Sequence, residues 1–318
     1  MSVRNSPLQP SEIRGVYTPI ITPMRPGNGF DNQIDYNKFQ KLVDDQVRAG
    51  VSGLVLIGTT GQSEALEPEE KVDFVGQAFD YVRTNHPQLQ VIVGAGSNFT
   101  KRAIAISRAI EDRIGPSTFL HVTGAYNKPT QNGLKAHYMA LAESIPKSNF
   151  LLYNVPGRVP VKASFETVRD IVERTKNVVG IKEASEDKTP NEIKKMVEGI
   201  DPKRFVCLCG EDKFVTQSIK VGARGTVSAS ANLAPRYFVK ITEAALRGDF
   251  VEAQRLQDEI NPLVKAVFRV TNPIPLAMLF NTGLRLPLIE EPDILQEISG
   301  IVGKYDPKDL GVDRMEYQ

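Results

Sequence analysis

The chain has 318 residues, 39 basic and 38 acidic side chains, and a formal net charge of +1. Charge this balanced excludes nucleic acid or an anionic membrane surface as the main partner, because both are held by a basic face. No apolar run approaches the ~20 residues that span a bilayer, and residues 1–14 lack the apolar segment of a secretory signal, so a cytoplasmic location is expected.

In chain order, residues 1–14 carry Ser2, Asn5, Ser6, Pro7 and Pro10 and read as a mobile tail or a helix-capping arm. Beyond them, short apolar runs alternate with longer amphipathic stretches. The runs predict strands at 16–21, 53–57, 91–95, 118–122, 150–153, 178–182, 205–209 and 225–228. The stretches between them predict helices at 35–49, 68–84, 101–114, 134–145, 165–175, 191–200, 213–221 and 235–246. Thr100 is a candidate N-cap, and Gly50 and Gly222 are candidate helix stops. Pro68 suits a first helical turn, with Glu69 and Glu70 near the positive end of the helix dipole.

A repeat of strand then helix with no long antiparallel region predicts an α/β chain closed into a (β/α)₈, or TIM, barrel over residues 15–246. Residues 247–318 predict helices alone, at 250–268, 275–284 and 293–305. They form an all-helical appendage that ends in a polar, loosely held tail from Asp306.

The two cysteines, Cys207 and Cys209, share one face of a predicted strand and read as a buried, reduced pair. No further metal ligand is spaced near them, so no metal is expected. The three histidines are scattered, and His121 reads as a core residue. The segment Gly94-Ala95-Gly96 begins like a dinucleotide fingerprint but lacks its third glycine, so no such cofactor is expected.

Barrel chemistry sits at the C-terminal strand ends. Those ends carry Thr22, the turn Gly58-Thr59-Thr60-Gly61-Gln62-Ser63, Gly96-Ser97-Asn98, Tyr126-Asn127, Tyr153-Asn154, Lys182-Glu183, Gly210-Glu211-Asp212 and Ser228-Ala229-Ser230. Burial at the barrel mouth disfavours the ammonium form of Lys182 and leaves an amine able to attack a ketone. A salt bridge to Glu183 is the competing reading. Tyr153 either passes protons beside that lysine or packs as a core tyrosine. The Gly-Thr-Thr-Gly turn offers hydroxyls and backbone N–H groups to a small carboxylate. Arg158, on the turn after Pro156-Gly157, forks onto a substrate carboxylate or stays a solvated charge.

Four segments resemble the dihydrodipicolinate synthase / N-acetylneuraminate lyase family, over about residues 15–284. They are Gly58-Thr59-Thr60-Gly61, Tyr153-Asn154-Val155-Pro156-Gly157-Arg158, Gly180-Ile181-Lys182-Glu183-Ala184-Ser185 and Asn272-Pro273-Ile274-Pro275. The paired threonines and Arg158 look like the synthase branch. That resemblance implies condensation of pyruvate with L-aspartate-4-semialdehyde to 4-hydroxy-tetrahydrodipicolinate, on the lysine and diaminopimelate pathway. By resemblance Lys182 forms the imine, Tyr153 donates and accepts protons, and Thr59 and Tyr126 relay them. Tyr126 would enter a neighbouring subunit's site, in a homotetramer built as a dimer of dimers. Thr60 would hold the pyruvate carboxylate with the backbone at Val227, Gly210 would line the substrate site, and Arg158 would bind the semialdehyde. The covalent imine replaces any cofactor.

The sequence departs from the family pattern at Gln62, where glutamate is usual, at Val159-Pro160 in place of Thr-Gly, and at Gly124-Ala125 in place of Pro-Tyr. Lysine-inhibited relatives use that tyrosine with an acidic residue near the position of Arg102, so weak or absent lysine inhibition is expected. Two alternatives remain: a lyase acting on a 2-keto-3-deoxy acid or N-acetylneuraminate, and a non-catalytic sensor barrel.

Overall fold

The computed structural model describes residues 6–122 and 124–312. Its strands are β1 (Gly15–Pro19), β2 (Gly53–Leu56), β3 (Gln90–Gly94), β4 (Thr118–Val122), β5 (Asn149–Asn154), β6 (Val178–Glu183), β7 (Val206–Cys209) and β8 (Gly225–Val227). They hydrogen-bond in chain order into a closed barrel. The pairings of β1 with β2, and of each strand from β3 with the next as far as β8, are parallel. The (β/α)₈ barrel expected from the repeat is the fold. Its strands read as unbroken apolar runs because helices cover them and leave neither face wet; β5 and β6 are buried from end to end.

The helices are α1 (Tyr36–Ala49), α2 (Pro68–Asn85), α3 (Thr100–Ile114), α4 (Gln131–Ser144), α5 (Phe165–Arg174), α6 (Thr189–Gly199), α7 (Val215–Lys220), α8 (Pro235–Leu246), α9 (Phe250–Val267), α10 (Ile274–Leu279), α11 (Pro292–Val302) and α12 (Pro307–Leu310). Their ends follow local chemistry. Asp35 accepts from the Lys38 amide to open α1, and Gly50, at φ 86°, closes it in the left-handed conformation that glycine tolerates. Glu67 and Glu70 form a reciprocal capping box around Pro68 at the start of α2. Thr100 does not cap α3 as expected. It is the first helical residue, Phe99 holds the cap position, and the Thr100 hydroxyl lies 3.0 Å from His137 Nδ1.

Packing divides the fold into two compact units, residues 1–15 with 91–227 and residues 16–90 with 228–318. In the first, the described part of the N-terminal arm is neither a mobile tail nor a helix cap. The Leu8 amide donates to Thr118 Oγ1 at 2.8 Å, and Asn149 Nδ2 donates to the Leu8 carbonyl at 2.9 Å. Ile13 is fully buried. The arm thus ties together the first residues of β4 and β5; Ser2 and Asn5 lie outside the described residues.

His121 is a core residue, with burial pushing it down to about 3, and Ser107 Oγ lies 3.2 Å from its Nε2. Both cysteines are buried and free, and burial lifts the Cys209 thiol to about 12, so neither is a ready nucleophile.

In the second unit, α9, α10 and α11 meet over Ala266, Ile274, Ala277, Met278 and Ile298. The expected helix at 275–284 is cut short at Leu279, because the following segment turns to pair with another part of the unit: the Gly283 amide donates to the Met24 carbonyl at 2.7 Å. The segment from Asp306 is not loose as expected. Asp306 caps α12, and Leu310 and Val312 are buried. Residues 313–318 of that segment lie outside the described residues.

Candidate active site

The C-terminal ends of β5 and β6 carry Tyr153-Asn154 and Lys182-Glu183. The register sets Tyr153 directly opposite Lys182, and Asn154 opposite Glu183. Side chains alternate along a strand, so Lys182 and Glu183 leave on opposite faces. The Glu183 carboxylate accepts from Asn154 Nδ2 at 3.0 Å and from the Ser185 hydroxyl. Burial raises that carboxyl above its ordinary range, against the pull of those two bonds. Glu183 is therefore engaged on its own side, and the salt bridge to Lys182 is not formed. Lys182 instead sets its Nζ 4.2 Å from the centre of the Tyr153 ring. Lys182 is 7% exposed and Tyr153 8%.

Gly210 follows β7, and its amide donates to the Glu183 carbonyl at 2.7 Å. A Cβ on Gly210 would stand 2.9 Å from Lys182 Cε and 3.0 Å from the Glu183 carbonyl oxygen. Glycine here is what leaves the lysine stem its path. Val227 closes β8 and is buried.

The Arg158 turn is built by Arg158 and Val159 amides that both donate to the Val155 carbonyl, at 2.9 and 3.0 Å. Val159 is buried while Arg158 is exposed, so the unusual Val159 anchors the turn that carries the guanidinium. Tyr126, unlike Tyr153 and Lys182, is not buried. It is 89% exposed and held at φ 63°, in the left-handed region that bulky residues avoid.

Glu211, next to Gly210, was not singled out by sequence reasoning. Burial raises its carboxyl to about 7; Asp212 and Glu186 add to the rise, and Lys213 and Lys182 oppose it. The folded protein therefore holds this proton more tightly than the unfolded chain does. Between the ordinary carboxylate range and about pH 7, stability falls as pH rises, by up to about 1.4 kcal/mol per pH unit, and then levels off. Glu211→Gln is expected to flatten that decline. Chemical denaturation at about pH 5 and about pH 8 checks it, and an equally steep fall in both proteins would contradict it.

In the second unit the Gly58–Ser63 turn is self-bonded: Gly61 and Ser63 amides donate to the Gly58 carbonyl, and the Gln62 amide donates to Thr59. Those three N–H groups are spent inside the turn, so the anion cradle expected from its backbone is reduced there. Thr59 is half-buried and Thr60 buried. Thr60 Oγ1 accepts from Asn272 Nδ2 at 3.0 Å. Gln62 is buried, donates weakly to the Gly283 carbonyl at 3.4 Å and accepts from the Arg285 amide at 3.1 Å. A glutamate could only accept, so the departure from the family pattern makes a two-way link. Arg285 is in turn forked onto Glu70, at 2.7 Å for each bond. Among the described residues, no group of three or more side chains suited to a metal ion occurs, and no helix is long and apolar enough to cross a membrane.

The strands thus close into a (β/α)₈ barrel of the kind that carries its chemistry at the C-terminal strand ends, and Tyr153 and Lys182 lie opposite each other one residue before the ends of the fifth and sixth strands. The family model described as the Dihydrodipicolinate synthetase family matches residues 12–290, and the chain belongs to that family of lyases. A 4-hydroxy-tetrahydrodipicolinate synthase of Methanocaldococcus jannaschii is 38% identical over 283 residues, covering 87% of this chain and 93% of that protein. The protein of the same name from Oleidesulfovibrio alaskensis is 36% identical over 298 residues, covering 92% of this chain and 98% of that one. The solved 4-hydroxy-tetrahydrodipicolinate synthase of Methylacidiphilum fumariolicum SolV superposes with a TM-score of 0.85 at 33% identity, covering 94% of this chain and 97% of that one.

Proposed function

We propose that this enzyme condenses pyruvate with L-aspartate-4-semialdehyde to 4-hydroxy-tetrahydrodipicolinate, through an imine on Lys182. The observation that carries the reading is the lysine nitrogen held 4.2 Å from the Tyr153 ring, both side chains buried.

The Lys182 amine adds to the pyruvate ketone, and the carbinolamine loses water to a protonated imine. That imine is an electron sink, so a methyl proton leaves and the carbon adds to the aldehyde; the amino group of the semialdehyde then attacks the imine carbon and displaces the Lys182 amine, which closes the ring and frees the enzyme. Tyr153 supplies and takes protons, with Thr59 and Tyr126 as relays. Thr60 and the backbone at Val227 hold the pyruvate carboxylate, Gly210 leaves the imine its room, and Arg158 takes the carboxylate of the semialdehyde. The exposure and strained backbone of Tyr126 support its use by a neighbouring subunit, within a homotetramer built as a dimer of dimers. The test is a coupled assay with both substrates. Turnover is expected with the semialdehyde, and cleavage of N-acetylneuraminate in its place would overturn the reading.

Weak or absent inhibition by L-lysine is expected as well. Gly124-Ala125 supplies no ring before Tyr126, and exposed Arg102 on α3 would repel the ligand's amino group. An inhibition curve checks this, and a midpoint well below millimolar lysine would refute it.

A further inference from the structure

The Asn272-Pro273-Ile274-Pro275 segment is a family motif without a role in the chemistry above. We infer that Asn272 is a positioning residue that fixes the Thr60 hydroxyl as a hydrogen-bond donor to the carboxylate of the keto acid. The inference rests on the reading of Thr60 as the carboxylate's partner.

A threonine hydroxyl has one hydrogen and two lone pairs, and it rotates to suit its surroundings. Left alone it can meet an anion with either end. Asn272 Nδ2 donates to Thr60 Oγ1 at 3.0 Å, in a buried setting 212 residues apart in sequence. That bond occupies a lone pair and leaves the O–H to point elsewhere. A carboxylate can only accept, so the arrangement presents the one end of Thr60 that an anion binds.

Both partners sit on stiff supports. The Thr60 turn is closed by the Gly61 and Ser63 amides and tied to Arg285 through Gln62. Asn272 lies just ahead of α10, whose Ile274 and Ala277 are packed into the cluster with Ala266 and Ile298. Preorganisation of this kind costs nothing at the moment of binding.

The polarity of the bond supplies the test. Asn272→Asp replaces a donor by an acceptor of nearly the same shape. The Thr60 hydrogen would then turn toward the introduced carboxylate, and the oxygen lone pairs would face the keto acid. The readout is the pyruvate concentration that half-saturates borohydride trapping, with thermal melting as a control for folding. Asn272→Asp is expected to raise it tenfold to a hundredfold, roughly the worth of one hydrogen bond to a charged group. Thr60→Val is expected to raise it comparably, and Asn272→Ala, costly alone, should add less than about twofold in the Thr60→Val background.

If Asn272→Asp does not fold, the Asn272→Ala and Thr60→Val cycle decides. Independent, multiplying effects in that cycle would overturn the positioning role. Thr60→Val with unchanged half-saturation would overturn the carboxylate reading itself. A large effect of Thr60→Val with none from either Asn272 variant would overturn only the role of Asn272.

Discussion

Lys182→Ala is expected to lower pyruvate-dependent turnover by at least about a thousandfold, the scale of losing a covalent nucleophile, while leaving the fold intact. The side chain is buried beside the Tyr153 ring, and its neighbour Glu183 is bonded to Asn154 and Ser185 instead. No buried ion pair is broken by its removal, so the large destabilisation that follows an orphaned charge is not expected. Steady-state assays with thermal melting check both halves of the expectation. Residual turnover above a few per cent of the parent rate would show that another group carries the reaction.

Gly210→Ala is the second large effect, and it works by space alone. The added methyl would meet Lys182 Cε and Ala184 Cβ at 2.9 Å each. Real Cβ atoms do not approach so closely, so the lysine stem or the β7 end must shift. Overpacking of this sort costs about 1–3 kcal/mol of stability, and a misplacement of about 1 Å at a reacting atom costs about a hundredfold in rate. The variant is therefore expected to fold with a lowered melting temperature and to lose roughly two orders of magnitude in turnover. Parent-level turnover in Gly210→Ala would mean that the lysine does not need the position it occupies.

Much of the fold was legible in the sequence because its signals are local. The predicted boundaries of β4 at 118–122 and α8 at 235–246 agree with the structure, each set by a short apolar run or by a proline at a helix start. The placement of Lys182 opposite Tyr153 was legible for the same reason: each lies at the end of an apolar run, and their strands are neighbours.

What was missed depends on distant partners. The end of α10 at Leu279 is decided by a segment that folds back to Met24, and nothing between 275 and 284 announces it. The arm before β1 looked unstructured because its anchors, Thr118 and Asn149, are over a hundred residues away. Asp306 onward looked polar, yet Leu310 and Val312 suffice to dock it. Thr100 carried a cap's chemistry but begins the helix itself, since its hydroxyl meets His137 on α4. Asn272 was visible as a motif, and Glu211 as a strand-end carboxylate. Their settings were not visible, because the pairing of Asn272 with Thr60 and the burial of Glu211 exist only in the folded chain.

The central claim is covalent, and one measurement addresses it directly. The intact enzyme is incubated with pyruvate, reduced with borohydride, digested and read by mass spectrometry. One reduced pyruvate is expected on the peptide containing Lys182, and none on that peptide from Lys182→Ala. An adduct on a different lysine, or no adduct from an enzyme that turns over pyruvate, would contradict the account.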